Sequence, residues 1–207
     1  MSELYTRYPS LNPCKEDIEN AIKTIIACYE NGGKLLLCGN GGSAADSLHI
    51  AGELMKGFLK KRPMSEEKRA EMKKNAPEIP DEILNKLQEG LPAIALMDSA
   101  ALFTAFLNDV DPDLVYAQGV NAMGREGDVL IAISTSGNAK NCHAAALTAK
   151  AIGMKVISLT GEGGGKLAGT ADVAIRVPEK ETFKVQELHL PVYHELCART
   201  EEHFYEK

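Results

Sequence analysis

The chain has 207 residues, 44% hydrophobic and 25% charged, a composition that suits one α/β domain and excludes a disordered or fibrous chain. A formal net charge of -6 and the lack of Trp argue against a nucleic-acid-binding surface, which needs a basic footprint or aromatic platforms. Five Cys (Cys14, Cys28, Cys38, Cys142, Cys197), an odd number without a CxxC spacing, argue against a disulfide framework and a thiolate zinc site. A polar N-terminus and no apolar run of membrane-spanning length lead us to expect a soluble, cytoplasmic protein with neither membrane nor nucleic acid as partner.

Residues 15–31 predict an amphipathic helix, with Ile18, Ala21, Ile22, Ile25, Ile26 and Tyr29 at helical spacing and Gly32-Gly33 as its stop. KLLLC (34–38) reads as a buried strand, GNGGS (39–43) as a sharp turn and 44–61 as a helix. The next stretch, 62–90, breaks this rhythm. Residues 60–90 carry eight basic and seven acidic residues and are divided by Pro63, Pro77 and Pro80. We read an exposed charged insertion with solvated helices over 65–75 and 81–88; a lid or an oligomer contact is the sharper alternative. Alternation then resumes. PAIAL (92–96) is a strand, and 99–107 and 113–123 are helices divided by Asn108-Asp109. DVLIAIS (128–134) is a strand running into TSGN (135–138), followed by a helix over 141–153. MKVISLTG (154–161) is a strand, 163–169 a loop or short helix, 172–177 the last strand, and 181–206 a long closing helix containing Pro191. Five apolar strands separated by helices predict a single α/β domain over 1–207, a parallel sheet sandwiched by helices.

Two loops stand at the carboxyl ends of predicted strands, where open parallel sheets bind ligands. GNGGS and STSGN each open a helix, whose free N–H groups and positive end favour an anion. Ser134, Thr135 and Ser136 add hydroxyls without charge. Neither loop carries G-x-G-x-x-G or GK[ST], so a nucleotide-binding module is the weaker reading and a phosphorylated small molecule the stronger. A turn with an N-cap is the ordinary alternative for each loop taken alone.

His49 and Glu53 are four apart on one helix and face the same way, a spacing that also pairs ligands on zinc-binding helices. Gln186, His189 and His194 lie on the last helix. Gln186 and His194 are separated by roughly 12 Å of helical rise, so one metal joins them only if both lean together. His49, Glu53, Gln186 and His194 form an N/O donor set suited to Zn²⁺, with Ni²⁺ or Fe²⁺ acceptable by ligand type. Exposed or structural side chains are the ordinary alternative for both groups.

GNGGSAADSLHIAGEL (39–54), ALMDSAALFTAFLND (95–109), GREGDVLIAISTSGNAKN (124–141), GMKVISLTG (153–161), GGGKLAGTADVAIRVP (163–178) and VQELHLPVYHELC (185–197) together resemble the sugar isomerase (SIS) domain, and within it the sedoheptulose 7-phosphate isomerases, or phosphoheptose isomerases. The resemblance covers nearly the whole chain except 62–90. It implies a five-stranded parallel αβα sandwich, a homotetramer with sites shared between subunits, and aldose–ketose isomerisation that feeds nucleotide-activated heptose synthesis. It further implies one divalent metal on His49, Glu53, Gln186 and His194, phosphate contacts from Ser43, Ser134, Thr135 and Ser136, and sugar contacts from Asn40, Gly41, Gly42, Asn108, Asp109 and Gln186. Glu53 is then the base at carbon and substrate-binding as well, and His194 the acid at oxygen.

Three positions depart from the family pattern. Ala139 stands where a phosphate-binding Ser is common, Gly57 where an Arg is common, and Pro191 interrupts the last helix between Gln186 and His194. Two alternatives follow: a SIS isomerase of another phosphosugar, or a non-catalytic phosphosugar-binding regulator resembling replication-initiator-binding SIS proteins. The set of His49, Glu53, Gln186 and His194 argues against the regulator, which has no use for it.

Overall fold

The chain begins with α1 (Leu4–Arg7) and a 3-10 segment over Pro9–Cys14, which bury Leu4, Leu11 and Cys14 before α2 (Lys15–Glu30) starts. The computed structural model describes residues 3–205. Neither N-terminal element has a periodic signal in the sequence. Glu16 and Asp17 sit in the first turn of α2, where carboxylates complement the helix dipole. Strand β1 (Leu35–Gly39) is buried at every position, as a strand covered on both faces must be.

Helix α3 (Gly42–Met55) begins two residues earlier than periodicity suggests and ends six earlier. Its early end has a tertiary cause. The backbone N–H groups of Phe58, Leu59 and Lys60 donate to the Glu201 carboxylate at 2.8, 2.7 and 3.0 Å instead of to carbonyls one turn back. The charged segment then leaves the body. Helix α4 (Glu66–Asn75) is capped by Ser65 and buries none of its residues, while α5 (Asp81–Lys86) buries Leu84. The excursion closes at its base, where Glu89 N–H donates to the Arg62 carbonyl and Pro63 bridges Gln88. For α4, the reading of an exposed charged insertion matches the fold.

After β2 (Ala93–Ala95), α6 (Ala100–Asp109) takes in Asn108 and Asp109, which the sequence reading used as its end. The break falls at Val110-Asp111, where the Asp111 side chain accepts from the N–H of Asp113 and starts the turn before α7 (Val115–Met123). The remaining elements are β3 (Val129–Ile133), α8 (Lys140–Ile152), β4 (Lys155–Thr160), α9 (Gly165–Thr170), β5 (Val173–Arg176) and α10 (Thr182–Tyr205). Helix α10 runs unbroken through Pro191, whose ring is buried.

The five strands form one parallel sheet in the order β2-β1-β3-β4-β5. Alternate side chains point to opposite faces. Leu35, Leu37, Ile131, Ile133, Ile157 and Leu159 pack under α2, α3 and α10. Leu36, Cys38, Leu130, Ala132 and Val156 pack under α7 and α8. The chain leaves β1 toward β2 on one side and reaches β3 on the other. The strand order therefore reverses between β1 and β3, the point where such sheets open a crevice beyond their carboxyl ends.

Candidate active site

That crevice holds a cavity of about 410 Å³ lined by Asn40, Gly41, Gly42, Ser43, Ile133, Ser134, Thr135, Ser136, Ala139, Thr182 and Gln186. Both loops singled out in the sequence therefore meet in one place, with the N-termini of α3 and α8 beside it. Five hydroxyls, from Ser43, Ser134, Thr135, Ser136 and Thr182, and two helix ends suit a phosphate without a lysine. The loops are locked together by Asn40 and Asn141. Their amides exchange two hydrogen bonds, Asn40 Nδ2 to Asn141 Oδ1 at 2.8 Å and Asn141 Nδ2 to Asn40 Oδ1 at 2.9 Å. Gly42 leaves room for the Gln186 amide, whose Nε2 would lie 2.5 Å from a Cβ at that position. Gly137 has φ +66°, and a Cβ on it would strike the Gly164 backbone.

Helices α3 and α10 lie side by side, with Gly42 against Gln186 and His49 against Tyr193 and His194. His49 Nε2 lies 3.2 Å from Glu53 Oε1, and the His49 and His194 ring centroids are 5.0 Å apart. The Lys56 ammonium donates to the other Glu53 oxygen at 2.9 Å. Burial pushes the Glu53 carboxyl up, but Lys56 and His49 outweigh it and hold the group below its usual range, so it is ionised at neutral pH. For His194, burial and the neighbouring His49 both depress the ring, which keeps it neutral.

Tyr193 organises this group. Its hydroxyl donates to Asp46 Oδ1 at 3.2 Å and lies 3.0 Å from His49 Nδ1. With its proton given to Asp46, the hydroxyl oxygen is free to accept from His49 Nδ1–H. Nε2 of the same ring faces the Glu53 carboxylate, and a proton or a cation between the two satisfies both. His194 Nε2 is buried and has no hydrogen-bond partner among the described residues. By donor type, then, His49, Glu53 and His194 fit a divalent metal. They are not gathered at ligand distance, since no three His, Cys, Asp or Glu side chains converge on one point among the described residues. Gln186 belongs to the loop cavity, its amide against Gly42, rather than to the His49–Glu53–His194 group.

Asn108 and Asp109 stand apart. They are exposed at the end of α6, Asn108 Nδ2 donating to Asp109 Oδ1, and neither lines the loop cavity. Four residues at the site went unread in the sequence: Asp46, Asn141, Thr182 and Tyr193. Asp46 precedes His49 by three positions and Tyr193 adjoins His194, so helical spacing held a signal for both. Asn141 and Thr182 become visible only once the two loops are brought together.

Two sequence-family matches cover most of the chain, both described as SIS domain, over residues 99–196 and 11–81. A phosphoheptose isomerase from Rhodospirillum rubrum is 40% identical over 192 residues, 93% of this chain and 88% of that protein. One from Helicobacter pylori (strain P12) is 38% identical over 198 residues, covering 96% and 90%. Among solved structures, the phosphoheptose isomerase of Francisella tularensis superposes with a TM-score of 0.78 at 32% identity over 97% of this chain and 93% of that one. That of Neisseria gonorrhoeae does so at 0.74 and 33% identity, over 94% and 92%.

Proposed function

The chain belongs to the phosphoheptose isomerases of the SIS-domain family, and from that membership we propose that it interconverts sedoheptulose 7-phosphate and D-glycero-D-manno-heptose 7-phosphate through an enediol(ate), for nucleotide-activated heptose synthesis. One observation carries the reading: a hydroxyl-lined cavity and a His–Glu–His group lie along the same α3–α10 seam. Roughly 12 Å of rise separates Gln186 from His194 on α10, room for an extended seven-carbon chain between an anchored phosphate and a reacting C1–C2 pair.

Ser43, Ser134, Thr135 and Ser136 hold the phosphate through hydroxyls and loop amides, and Asn40, Gly41, Gly42 and Gln186 orient the sugar. This remote binding energy places C1 and C2. The ionised Glu53 takes the proton from C1 of the ketose and returns one to C2. The neutral His194 moves the hydroxyl proton from O1 to O2. Glu53 divides its oxygens, one toward His49 and the other toward Lys56. His49, Glu53 and His194, with Gln186 swung across as the fourth donor, would hold a Zn²⁺, which supplies polarisation of the substrate carbonyl when bound.

We also propose a homotetramer whose subunits share sites. Support comes from α6, where Asn108 and Asp109 lie away from this chain's own cavity beside exposed Leu107 and Val110. A cytoplasmic, reducing setting fits five unpaired, buried cysteines. Among the described residues no helix is long and apolar enough to cross a membrane.

Proton NMR in D₂O tests the reaction. Zn²⁺-reconstituted protein with sedoheptulose 7-phosphate is expected to yield an aldoheptose phosphate carrying solvent deuterium at C2. Folded, metal-bound protein that gives neither product nor exchange overturns the heptose assignment.

A further inference from the structure

Arg62 and Glu201 are both buried, and their side chains have no exposed surface. Arg62 Nε donates to Glu201 Oε1 at 2.7 Å. The rest of the guanidinium turns to α3: Nη1 donates to the Leu54 carbonyl at 2.6 Å and Nη2 to the Glu53 carbonyl at 3.3 Å. Its other face covers the Tyr205 ring, 4.7 Å from the centroid. The last turn of α3 has no basic residue of its own. Arg62 thus brings a cation to the negative end of that helix, where it is a second donor to the Leu54 carbonyl beside the Leu91 N–H and also reaches the Glu53 carbonyl.

Glu201, from α10, holds the connecting segment. Its oxygens accept from the N–H groups of Phe58, Leu59 and Lys60 as well as from Arg62. Burial raises its carboxyl, yet these donors prevail and keep it below the usual carboxylate range. Phe58, fixed by this contact, lays its ring against His194 at 5.4 Å between centroids. Two proton-transfer groups are therefore tied to one buried pair, Glu53 through its own carbonyl and His194 through Phe58.

We infer that the Glu201–Arg62 pair is a positioning element for the isomerisation, setting Glu53 and His194 relative to each other while leaving the phosphate cavity untouched. The inference rests on the isomerase reading for its effect on turnover. Its geometric part, the seating of Phe58 on His194, stands apart from that reading. Displacements of about 1 Å at reacting groups can cost about 100-fold in rate. A loosened pair is therefore expected to act on kcat.

The test compares Arg62→Lys, Glu201→Gln and Phe58→Leu with the parent protein. Arg62→Lys keeps the charge but loses the fork of donors, and Phe58→Leu breaks the link to His194 without touching the buried pair. Expected for folded variants are a fall in kcat of about 10- to 100-fold, a KM within about twofold, unchanged affinity for inorganic phosphate, and shifted His194 ring resonances. Folded variants with parental kcat, or with a raised KM and parental kcat, overturn the inference. Should Arg62→Lys and Glu201→Gln fail to fold, Phe58→Leu decides alone. If the parent does not convert sedoheptulose 7-phosphate, the isomerase reading fails, and unmoved His194 resonances in Phe58→Leu overturn the positioning geometry separately.

Discussion

The Tyr193 hydroxyl lies 3.0 Å from Nδ1 of His49 and couples two parallel helices at the centre of the site. Its own proton goes to Asp46, whose carboxyl is raised by burial despite that hydrogen bond. The chain of Asp46, Tyr193 and His49 orients the imidazole and gives its Nδ1 a hydrogen-bond partner. It turns Nε2 of His49 toward Glu53 Oε1, 3.2 Å away.

Tyr193→Phe removes this control and little else. Loss of one buried hydroxyl is expected to cost about 0.5–1.5 kcal/mol of stability. Zn²⁺ affinity is expected to fall about 10- to 100-fold, the usual effect of deleting a group that orients a ligand. Competition titration with a chromogenic chelator measures the affinity, and ¹⁵N shifts of the His49 ring report the tautomer. Unchanged affinity and an unchanged tautomer would remove Tyr193 from this role.

Glu53→Gln separates binding from chemistry. The amide is close in shape to the carboxylate but cannot accept a carbon-bound proton, so kcat is expected to fall by about 10²- to 10⁴-fold with KM little changed. Solvent deuterium incorporation at C2 should vanish with turnover. His194→Ala is expected to lose both metal and turnover; a retained metal stoichiometry would take His194 out of the ligand set.

The two loop glycines make a contrast. A methyl on Gly42 meets the far end of a flexible side chain, the Gln186 amide, which can swing away. Gly42→Ala is therefore expected to fold with near-parental stability and to lose activity through displaced Gln186. A methyl on Gly137 meets backbone of the Gly164 loop, and its φ of +66° is unfavourable for any side chain. Gly137→Ala is expected to cost at least about 1–3 kcal/mol in thermal or urea unfolding. Equal stability losses in the two variants would contradict this picture.

Much of this arrangement is legible along the chain. The strands β1 and β3 are short apolar runs followed by glycine- and serine-rich turns, and both turns meet in one cavity as their positions after parallel strands imply. His49 and Glu53 share a helix face at a spacing any helix imposes. What stays hidden is long-range. The end of α3 depends on Glu201, some 140 positions away, and the pairing of Asn40 with Asn141 spans about 100. The N-terminal turns over Leu4–Cys14 bury three side chains with no helical or strand period to announce them. Asn108 and Asp109 look like a helix end, but Asp111 offers the better cap and the helix runs on to Asp109.

His189 is expected to steepen the acid limb of stability. The residue is fully buried on α10, and burial lowers its pKa from 6.5 to about 4. A folded-state pKa below the unfolded one means that the unfolded chain binds the proton more readily. This contribution is therefore harmless above about pH 6.5 and becomes destabilising as pH falls toward 4. The full effect is on the order of 3 kcal/mol at pH 4 relative to pH 7. His189→Gln has no titrating ring, so its loss of stability between pH 7 and pH 4 is expected to be shallower than the parent's by roughly that amount. Urea unfolding at pH 7, 5.5 and 4 measures it, and parallel stability–pH curves for the two proteins would show that other groups set the acid limb.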